Sequence, residues 1–300
     1  MRSAMVWIGA MLGLSFMAAC GSEAASFART EQAIVNGVPA PDAVLNVGTI
    51  AFKTSPTDAV WSWWGCSGTL VSPTVFITAG HCMFGWEGSG ATNFGVTFGP
   101  QMDLSEDGWT VTVPATAQVY SGTPVIHPGF DINAFGDYHV ETNPDMALIV
   151  LDEAVSGVPP ARIPPVGFLD GWASPPAEIE MGVAGYGLTS AAPYFKKHPV
   201  PDWGTRRFSA TELVGVFPGR IEVSPDPGGG CFMDSGGPSF PVSGEAGDPI
   251  PAPSFVTTVV ALVQSPAEDA GKRKHLCDGG TVSVRLDTAL AHEFLDQYVP

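Results

Sequence analysis

Short apolar runs separated by glycine and proline recur along the chain, and they constrain its fold more than any other feature. Glycine accounts for 36 and proline for 28 of the 300 residues, without a short repeat, which is typical of turns between short strands. Strand-like length and β-branched content are found in 47–53, 66–71, 75–78, 111–113, 117–120, 147–151, 179–184, 220–223, 256–263 and 281–285. An amphipathic helix is predicted at 288–298, with an apolar face made by Leu290, Phe294, Leu295 and Tyr298. This pattern predicts an all-β fold, either two barrels or a sandwich, followed by a terminal helix.

The charge and the spacing of these runs limit the possible functions and the number of domains. Acidic residues outnumber basic ones by 30 to 13, and the formal net charge is −17. Such a surface repels phosphate backbones, so we expect no nucleic-acid binding. No internal repeat or long linker follows residue 34, so a single domain is predicted over 34–300. The longer stretches predicted as loops are 83–110, 128–143, 190–207 and 265–276.

The N-terminus has the features of an export signal. Arg2 precedes the apolar run 5–17, which is too short to span a bilayer comfortably and is typical of a signal peptide over residues 1–20. The letters MAACGS at 17–22 resemble a bacterial lipobox, in which Cys20 becomes the lipidated first residue of the mature protein. Ordinary signal cleavage nearby, with Cys20 discarded, is the alternative. We therefore expect an exported protein, either a periplasmic or outer-membrane lipoprotein or a secreted one, with 21–33 as a tether and pro-segment.

Cysteine usage agrees with an oxidising compartment. The five cysteines are Cys20, Cys66, Cys82, Cys231 and Cys277. Without Cys20 an even number remains, which allows three disulfide pairings. No pair has the C-x-x-C spacing of a zinc ribbon or a thioredoxin-like site. No cluster of metal ligands is visible, so no metal is expected, and a structural calcium in a loop stays open as the alternative.

Three segments contain the residue types of nucleophilic catalysis. They read TAGHC at 78–82, PDMALIVL at 144–151 and CFMDSGGP at 231–238. A serine hydroxyl needs a neighbouring base, histidine has a suitable pKa, and a buried carboxylate fixes the histidine tautomer. His81, Asp145 and Ser235 are therefore the candidate base, orienting acid and nucleophile. Asp137 is a rival acid, but no apolar strand follows it as one follows Asp145.

These segments, in this order, resemble the motifs of the trypsin/chymotrypsin family of serine proteases. TAGHC is similar to the family's histidine motif, DMALI to its aspartate motif and DSGGP to its serine motif. IVNG at 34–37 resembles the family's activated N-terminus. The resemblance spans 34–300 and implies two six-stranded antiparallel β-barrels with a C-terminal helix. It also implies a serine endopeptidase that forms an acyl-enzyme with polypeptide substrates, needs no cofactor and acts as a monomer.

The resemblance further implies an activation step. Cleavage between Ala33 and Ile34 would free the amine of Ile34, which would pair with the carboxylate of Asp234 and lock the serine loop. Because residue 33 is alanine, the activating protease is not expected to be trypsin-like. The disulfides that the resemblance implies are Cys66 with Cys82 and Cys231 with Cys277.

Two positions depart from the family pattern. Met233 replaces a glycine whose N–H is one oxyanion donor, the N–H of Ser235 being the other. Met233 must either take a backbone conformation that favours glycine, at a cost of about 1–3 kcal/mol, or sit in a loop that flips when substrate binds. Gly229 replaces the aspartate that trypsin places at the base of its specificity pocket. With Gln264 and Gly280 on the pocket walls, we expect a preference for an apolar or small side chain.

Two other functions compete with this expectation. A non-catalytic or weakly active binding or regulatory homologue stays open because of Met233 and the acidic surface. An α/β-hydrolase esterase is disfavoured, since it needs a G-x-S-x-G motif and the chain order Ser–Asp–His.

Overall fold

A computed structural model describes most of the chain beyond the N-terminal segment. The described residues are 34, 37–40, 42–105, 110–135, 142–173, 179–189, 203–226, 228–242, 256–266, 277 and 280–300. The predicted signal peptide, Cys20, the 21–33 segment and the rival acid Asp137 lie outside them. No helix in the described ranges is long and apolar enough to cross a membrane.

The described part of the chain is built mainly of antiparallel strands. In chain order they are β1 Val38–Pro39, β2 Val47–Lys53, β3 Ser62–Ser72, β4 Val75–Thr78, β5 Asn93–Thr97, β6 Asp103–Leu104, β7 Val111–Thr112, β8 Val119–Ile126, β9 Ala147–Leu151, β10 Glu180–Gly185, β11 Arg207–Val216, β12 Arg220–Val223, β13 Pro238–Pro241, β14 Ala261–Pro266 and β15 Thr281–Arg285. The helices are α1 Gly80–Met83 and α2 Ala289–Leu295, with 3₁₀ turns at Trp86–Gly88, Ile132–Ala134 and Phe168–Trp172.

The strands close into two six-stranded barrels. The first has the order β2-β5-β8-β9-β4-β3 and closes through the β2–β3 pair, with β7 and β6 added beside β3. The second has the order β11-β10-β13-β14-β15-β12 and closes through the β11–β12 pair, with β1 added beside β11. The predicted all-β fold with two antiparallel barrels is therefore confirmed, and the sandwich alternative is wrong.

Strands β4 and β9 are buried on both faces because they lie between two cores. Phe76 faces Ile149 across this pair, and both belong to the core of the first barrel. Ile77 faces Leu148 one residue further along, and both belong to a core cluster shared with the second barrel. Because successive side chains point to opposite faces, a strand between two cores must be apolar throughout. This explains the uninterrupted run ALIVL that follows Asp145.

Five of the described strands lie outside the predicted runs, and all except β6 contain a glycine or a proline, residue types that usually mark turns. They are β1, β5, β6, β11 and β13, so the predicted loops at 83–110 and 190–207 are partly wrong. Gly95 in β5 illustrates the reason: a Cβ there would lie 2.7 Å from Val119 Cγ1 and 2.8 Å from the Tyr120 oxygen. The glycine serves the close approach of β8 rather than a turn.

The terminal helix forms where it was predicted, but its buried face differs by one residue. Leu290 is 38% exposed, whereas Ala291, Phe294 and Leu295 are buried. Thr288 caps the helix by accepting a hydrogen bond from the Ala291 N–H at 3.1 Å. The cap sets the helix start, and spacings of three and four from Ala291 then define the apolar stripe.

Candidate active site

The first barrel holds His81 against a buried carboxylate. His81 lies in α1, directly after β4, and Asp145 lies directly before β9, the hydrogen-bonded neighbour of β4. Asp145 Oδ2 is 2.7 Å from His81 Nδ1, and its Oδ1 accepts a hydrogen bond from the His81 backbone N–H at 2.7 Å. Asp145 is fully buried. With Nδ1 donating to the carboxylate, Nε2 is left as the basic nitrogen of the ring.

An aromatic side chain that the sequence analysis missed covers this histidine. The ring centroid of Phe135 lies 4.5 Å from that of His81, and Phe135 is 38% exposed. The only sequence signal was its place in the long stretch 128–143, since such stretches are often functional. Phe84 is also exposed close by and forms an edge-on contact with Phe130.

The second barrel provides Ser235, on the loop between β12 and β13. The Ser235 hydroxyl donates a hydrogen bond to the Gln264 backbone oxygen at 3.5 Å, and the Ser235 oxygen accepts one from the Ser67 N–H at 2.9 Å. The Cys82 sulfur lies 3.9 Å from His81 Nε2 and 3.6 Å from the Ser235 backbone oxygen, so His81 and Ser235 lie close to the same sulfur atom. Both residues are described, and they make no hydrogen bond to each other. Catalytic hydrogen bonds of this kind often shorten only when substrate binds.

Met233 takes the glycine-like backbone conformation. Its φ is +74°, in the left-handed region. The preceding carbonyl, of Phe232, accepts a hydrogen bond from the Leu188 N–H at 2.9 Å, so the N–H of the same peptide group points away from Leu188. Within the described ranges, the N–H groups of Met233 and Ser235 donate no hydrogen bond. Both are therefore available to an acceptor on a substrate.

Asp234 is buried with its carboxylate held by backbone groups. The Gly187 N–H donates to Oδ1 at 2.8 Å and the Cys231 N–H donates to Oδ2 at 2.9 Å. Burial raises the pKa of Asp234 to about 7, and these bonds and the nearby charge of Arg207 offset only part of that effect. Ile34 is also buried, in the core of the second barrel. In the uncleaved chain the Ile34 nitrogen belongs to a peptide bond, so the implied ion pair with Asp234 is not formed.

Two disulfides join the segments that contain these residues. Cys66 pairs with Cys82, next to His81, with 6.2 Å between the Cα atoms. Cys231 pairs with Cys277 with 5.4 Å between the Cα atoms. They match the pairs implied by the resemblance. The one group of possible metal ligands in the described ranges is Cys66, His81 and Cys82, and its two cysteines are in the first disulfide.

The expected pocket residues lie around the base of the serine loop. A Cβ on Gly229 would lie 3.0 Å from Thr281 Oγ1, which also accepts a hydrogen bond from the Gly230 N–H at 2.7 Å. Thr281 follows Gly280 at the start of β15. Asp226, the nearest acid in sequence, is exposed. The side chain that faces Gly229 is therefore uncharged.

Two closed barrels with a histidine–carboxylate pair on one and a serine loop on the other define the chymotrypsin-like class of protease folds. The family model Trypsin matches residues 34–247, and the chain belongs to this family of serine proteases. Among solved structures, one of HL collagenase is similar with a TM-score of 0.54 and 16% identity, covering 87% of this chain and 96% of that chain. At this identity the likeness concerns the fold alone. No curated protein sequence was matched.

Proposed function

We propose that the chain is an exported serine endopeptidase in which Ser235 is the nucleophile, His81 the general base and Asp145 the orienting acid. The observation that carries the proposal is the pair of 2.7 Å contacts between His81 and the buried Asp145, beside the loop of Ser235. A fully buried carboxylate with two such contacts fixes the tautomer of the imidazole and stabilises its protonated form.

The proposed reaction follows from these positions. Ser235 Oγ attacks the carbonyl carbon of the scissile peptide, and its proton passes to His81 Nε2. The carbonyl oxygen takes the negative charge and accepts hydrogen bonds from the N–H groups of Met233 and Ser235. When the C–N bond breaks, His81 returns the proton to the leaving amine and an acyl-enzyme remains. A water molecule then attacks the ester, with His81 again as the base, and releases the acid and Ser235.

Apolar or small side chains are the proposed preference next to the scissile bond. The support is the uncharged surrounding of Gly229 and the exposed aromatic rings of Phe84 and Phe135 near His81. An acid at the pocket base would be needed to select lysine or arginine. Cleavage-site profiling with a proteome-derived peptide library should show apolar or small residues before the cleaved bond. A strict preference for arginine or lysine would contradict this specificity.

Activation is proposed to occur by cleavage before Ile34. Support comes from the burial of both Ile34 and Asp234, and from an Asp234 carboxylate that burial makes costly to ionise. A freed ammonium would compensate that charge. N-terminal sequencing of the active enzyme should read Ile-Val-Asn-Gly, and full activity with a different start would contradict the proposal.

Export through a lipobox is the proposed route to the site of action, where polypeptides are the substrates. Two disulfides agree with an oxidising compartment. Globomycin treatment should shift the size of the wild-type protein and leave Cys20→Ala unchanged. Absence of a shift in the wild type would favour a freely secreted protein.

Labelling with a fluorophosphonate probe tests catalytic competence. The wild-type processed protein should be labelled, and labelling should be lost in Ser235→Ala. Ser89→Ala, at an exposed serine, is the matched control and should label like the wild type. A correctly processed wild type that is not labelled would instead indicate a non-catalytic binding or regulatory homologue.

A further inference from the structure

We propose that Gly65 and Ser67, both in β3, are positioning residues that hold Met233 in the conformation that an oxyanion donor needs. They would allow a methionine to occupy a position where the family has glycine. This inference rests on the proposed function, because it assigns a role within the same site.

The need for such support arises from the backbone of Met233. A φ of +74° crowds the Cβ of an L-residue against neighbouring backbone atoms, so the conformation persists only where neighbouring groups fix it. Rotation of the Met233 backbone would also turn its N–H away from the position that a substrate oxygen takes. The contacts on either side of Met233 therefore determine whether the donor is in place.

Ser67 fixes the peptide group that follows Met233. The Ser67 hydroxyl donates a hydrogen bond to the Met233 oxygen at 3.0 Å and accepts one from the Tyr186 N–H at 2.9 Å. The Ser67 N–H donates to the Ser235 oxygen at 2.9 Å. Since Ser67 is fully buried, no water competes for these bonds. The hydroxyl and the backbone N–H of one residue of the first barrel thus contact both donor residues of the second barrel.

Gly65 provides the space for the Met233 side chain. A Cβ on Gly65 would lie 3.1 Å from Met233 Sδ and 3.9 Å from its Cε, and in the described ranges no other atom outside Gly65 and its two chain neighbours would be within 4 Å. Gly65 has a φ of +86°, so a side chain there is also strained in its own backbone. The methionine therefore lies over a strand position with no side chain, and it packs against the core cluster between the barrels.

Both residues are direct chain neighbours of Cys66, which is disulfide-bonded to Cys82, the neighbour of His81. Strand β3 therefore contacts the base side of the site through Cys66 and the oxyanion side through Gly65 and Ser67. This arrangement couples the two barrels where the reaction would occur.

The test measures how far the effect of each substitution on the reaction rate depends on the side chain at position 233. Ser67→Ala and Gly65→Ala are each made in the wild type and in a Met233→Gly background, where the backbone conformation needs no support. Each is compared with its own parent by the second-order rate constant of fluorophosphonate labelling, and by kcat and KM on a peptide found by profiling. Gly85→Ala is the matched control for Gly65→Ala, because Gly85 has a φ of +74° and open space around it.

In the wild type we expect each substitution to lower the labelling rate and kcat by about 10- to 100-fold, approaching the loss of one oxyanion donor. KM should change by less than about twofold, and the acid limb of the pH–rate profile should not move, because His81 is untouched. In the Met233→Gly background the same substitutions should lower the labelling rate and kcat by less than about fivefold. Gly85→Ala should label like the wild type, and thermal melting should show that all the variants are folded.

Equal losses in both backgrounds, or no loss in either, would overturn the inference while leaving the proposed function intact. Ser67→Ala removes only one oxygen atom and so keeps the test valid if Gly65→Ala does not fold. A wild-type protein that the probe does not label would overturn the proposed function and the inference with it.

Discussion

The two halves of the candidate site are built in different ways. In the first barrel, His81 and Asp145 are adjacent because β4 and β9 pair in register. The contacts between these two residues are made entirely within that barrel. In the second barrel, Ser235 lies on a loop that contains a left-handed methionine and a buried acid without its implied ammonium partner. The first half is preorganised by strand pairing, whereas the second depends on contacts from the other barrel and, in the proposed activation, on a cleavage. We therefore expect substitutions in the first half to affect chemistry alone, and those in the second to affect both folding and activation.

Asp145→Asn should produce the largest effect and leave folding nearly unchanged. An asparagine amide would present a donor to Nδ1, so the imidazole would adopt the wrong tautomer, and kcat should fall by about 10⁴-fold. Steady-state kinetics on a profiled peptide, with Asp152→Asn as an exposed acidic control, measures this loss. A decrease of kcat by less than tenfold would show that another group orients His81.

Asp234 should make the uncleaved chain less stable as the pH rises. Its pKa is about 7 in the folded state, against an ordinary value of 3.8 for an exposed aspartate, so the folded chain binds more protons between these values and stability falls across that window. The group should contribute a loss of about 3–5 kcal/mol between pH 4 and pH 8. Urea denaturation of uncleaved Ser235→Ala, with and without Asp234→Asn, isolates the effect. An equally steep loss of stability with pH in the Asp234→Asn variant would show that other titrating groups cause it.

Met233→Gly should relieve strain in the second half without removing its N–H. The substitution removes the cost of a side chain at positive φ, about 1–3 kcal/mol, so fluorophosphonate labelling should be at least as fast as in the wild type and up to about tenfold faster. A collapse of labelling in a folded variant would show that the methionine side chain itself contacts the reacting group.

His127 should give the smallest effect, with a pH dependence opposite to that of Asp234. Burial lowers the pKa of His127, whose Nδ1 accepts a hydrogen bond from the Gly129 N–H at 2.9 Å. The unfolded chain therefore binds more protons, so this contribution is present above about pH 6.5 and is lost as the pH falls. Urea denaturation at pH 7 and pH 5 should show that His127→Gln gains stability relative to the wild type as the pH falls. An identical pH dependence in the two proteins would mean that the pKa of His127 is the same in the folded and the unfolded chain.

The sequence predicted the first half of the site better than the second for a physical reason. The apolar run after Asp145 and the short strand before His81 are local patterns, and they determine the register that brings the two together. The role proposed for Gly65 and Ser67 depends on contacts with residues more than 160 positions away, for which a single sequence carries no local signal. Phe135 was missed for the same reason. Strands such as β5 were missed because Gly95 allows close packing, although the same residue type usually marks a turn.

A crystal structure of the cleaved enzyme labelled with a fluorophosphonate would test the central claim most directly. The account predicts a phosphonyl group on Ser235 Oγ, with its oxygen about 2.7–3.1 Å from the N–H nitrogens of both Met233 and Ser235. Met233 should keep its positive φ, and the Ile34 ammonium should contact the Asp234 carboxylate. An adduct on another residue, or a phosphonyl oxygen without both backbone donors, would contradict the account.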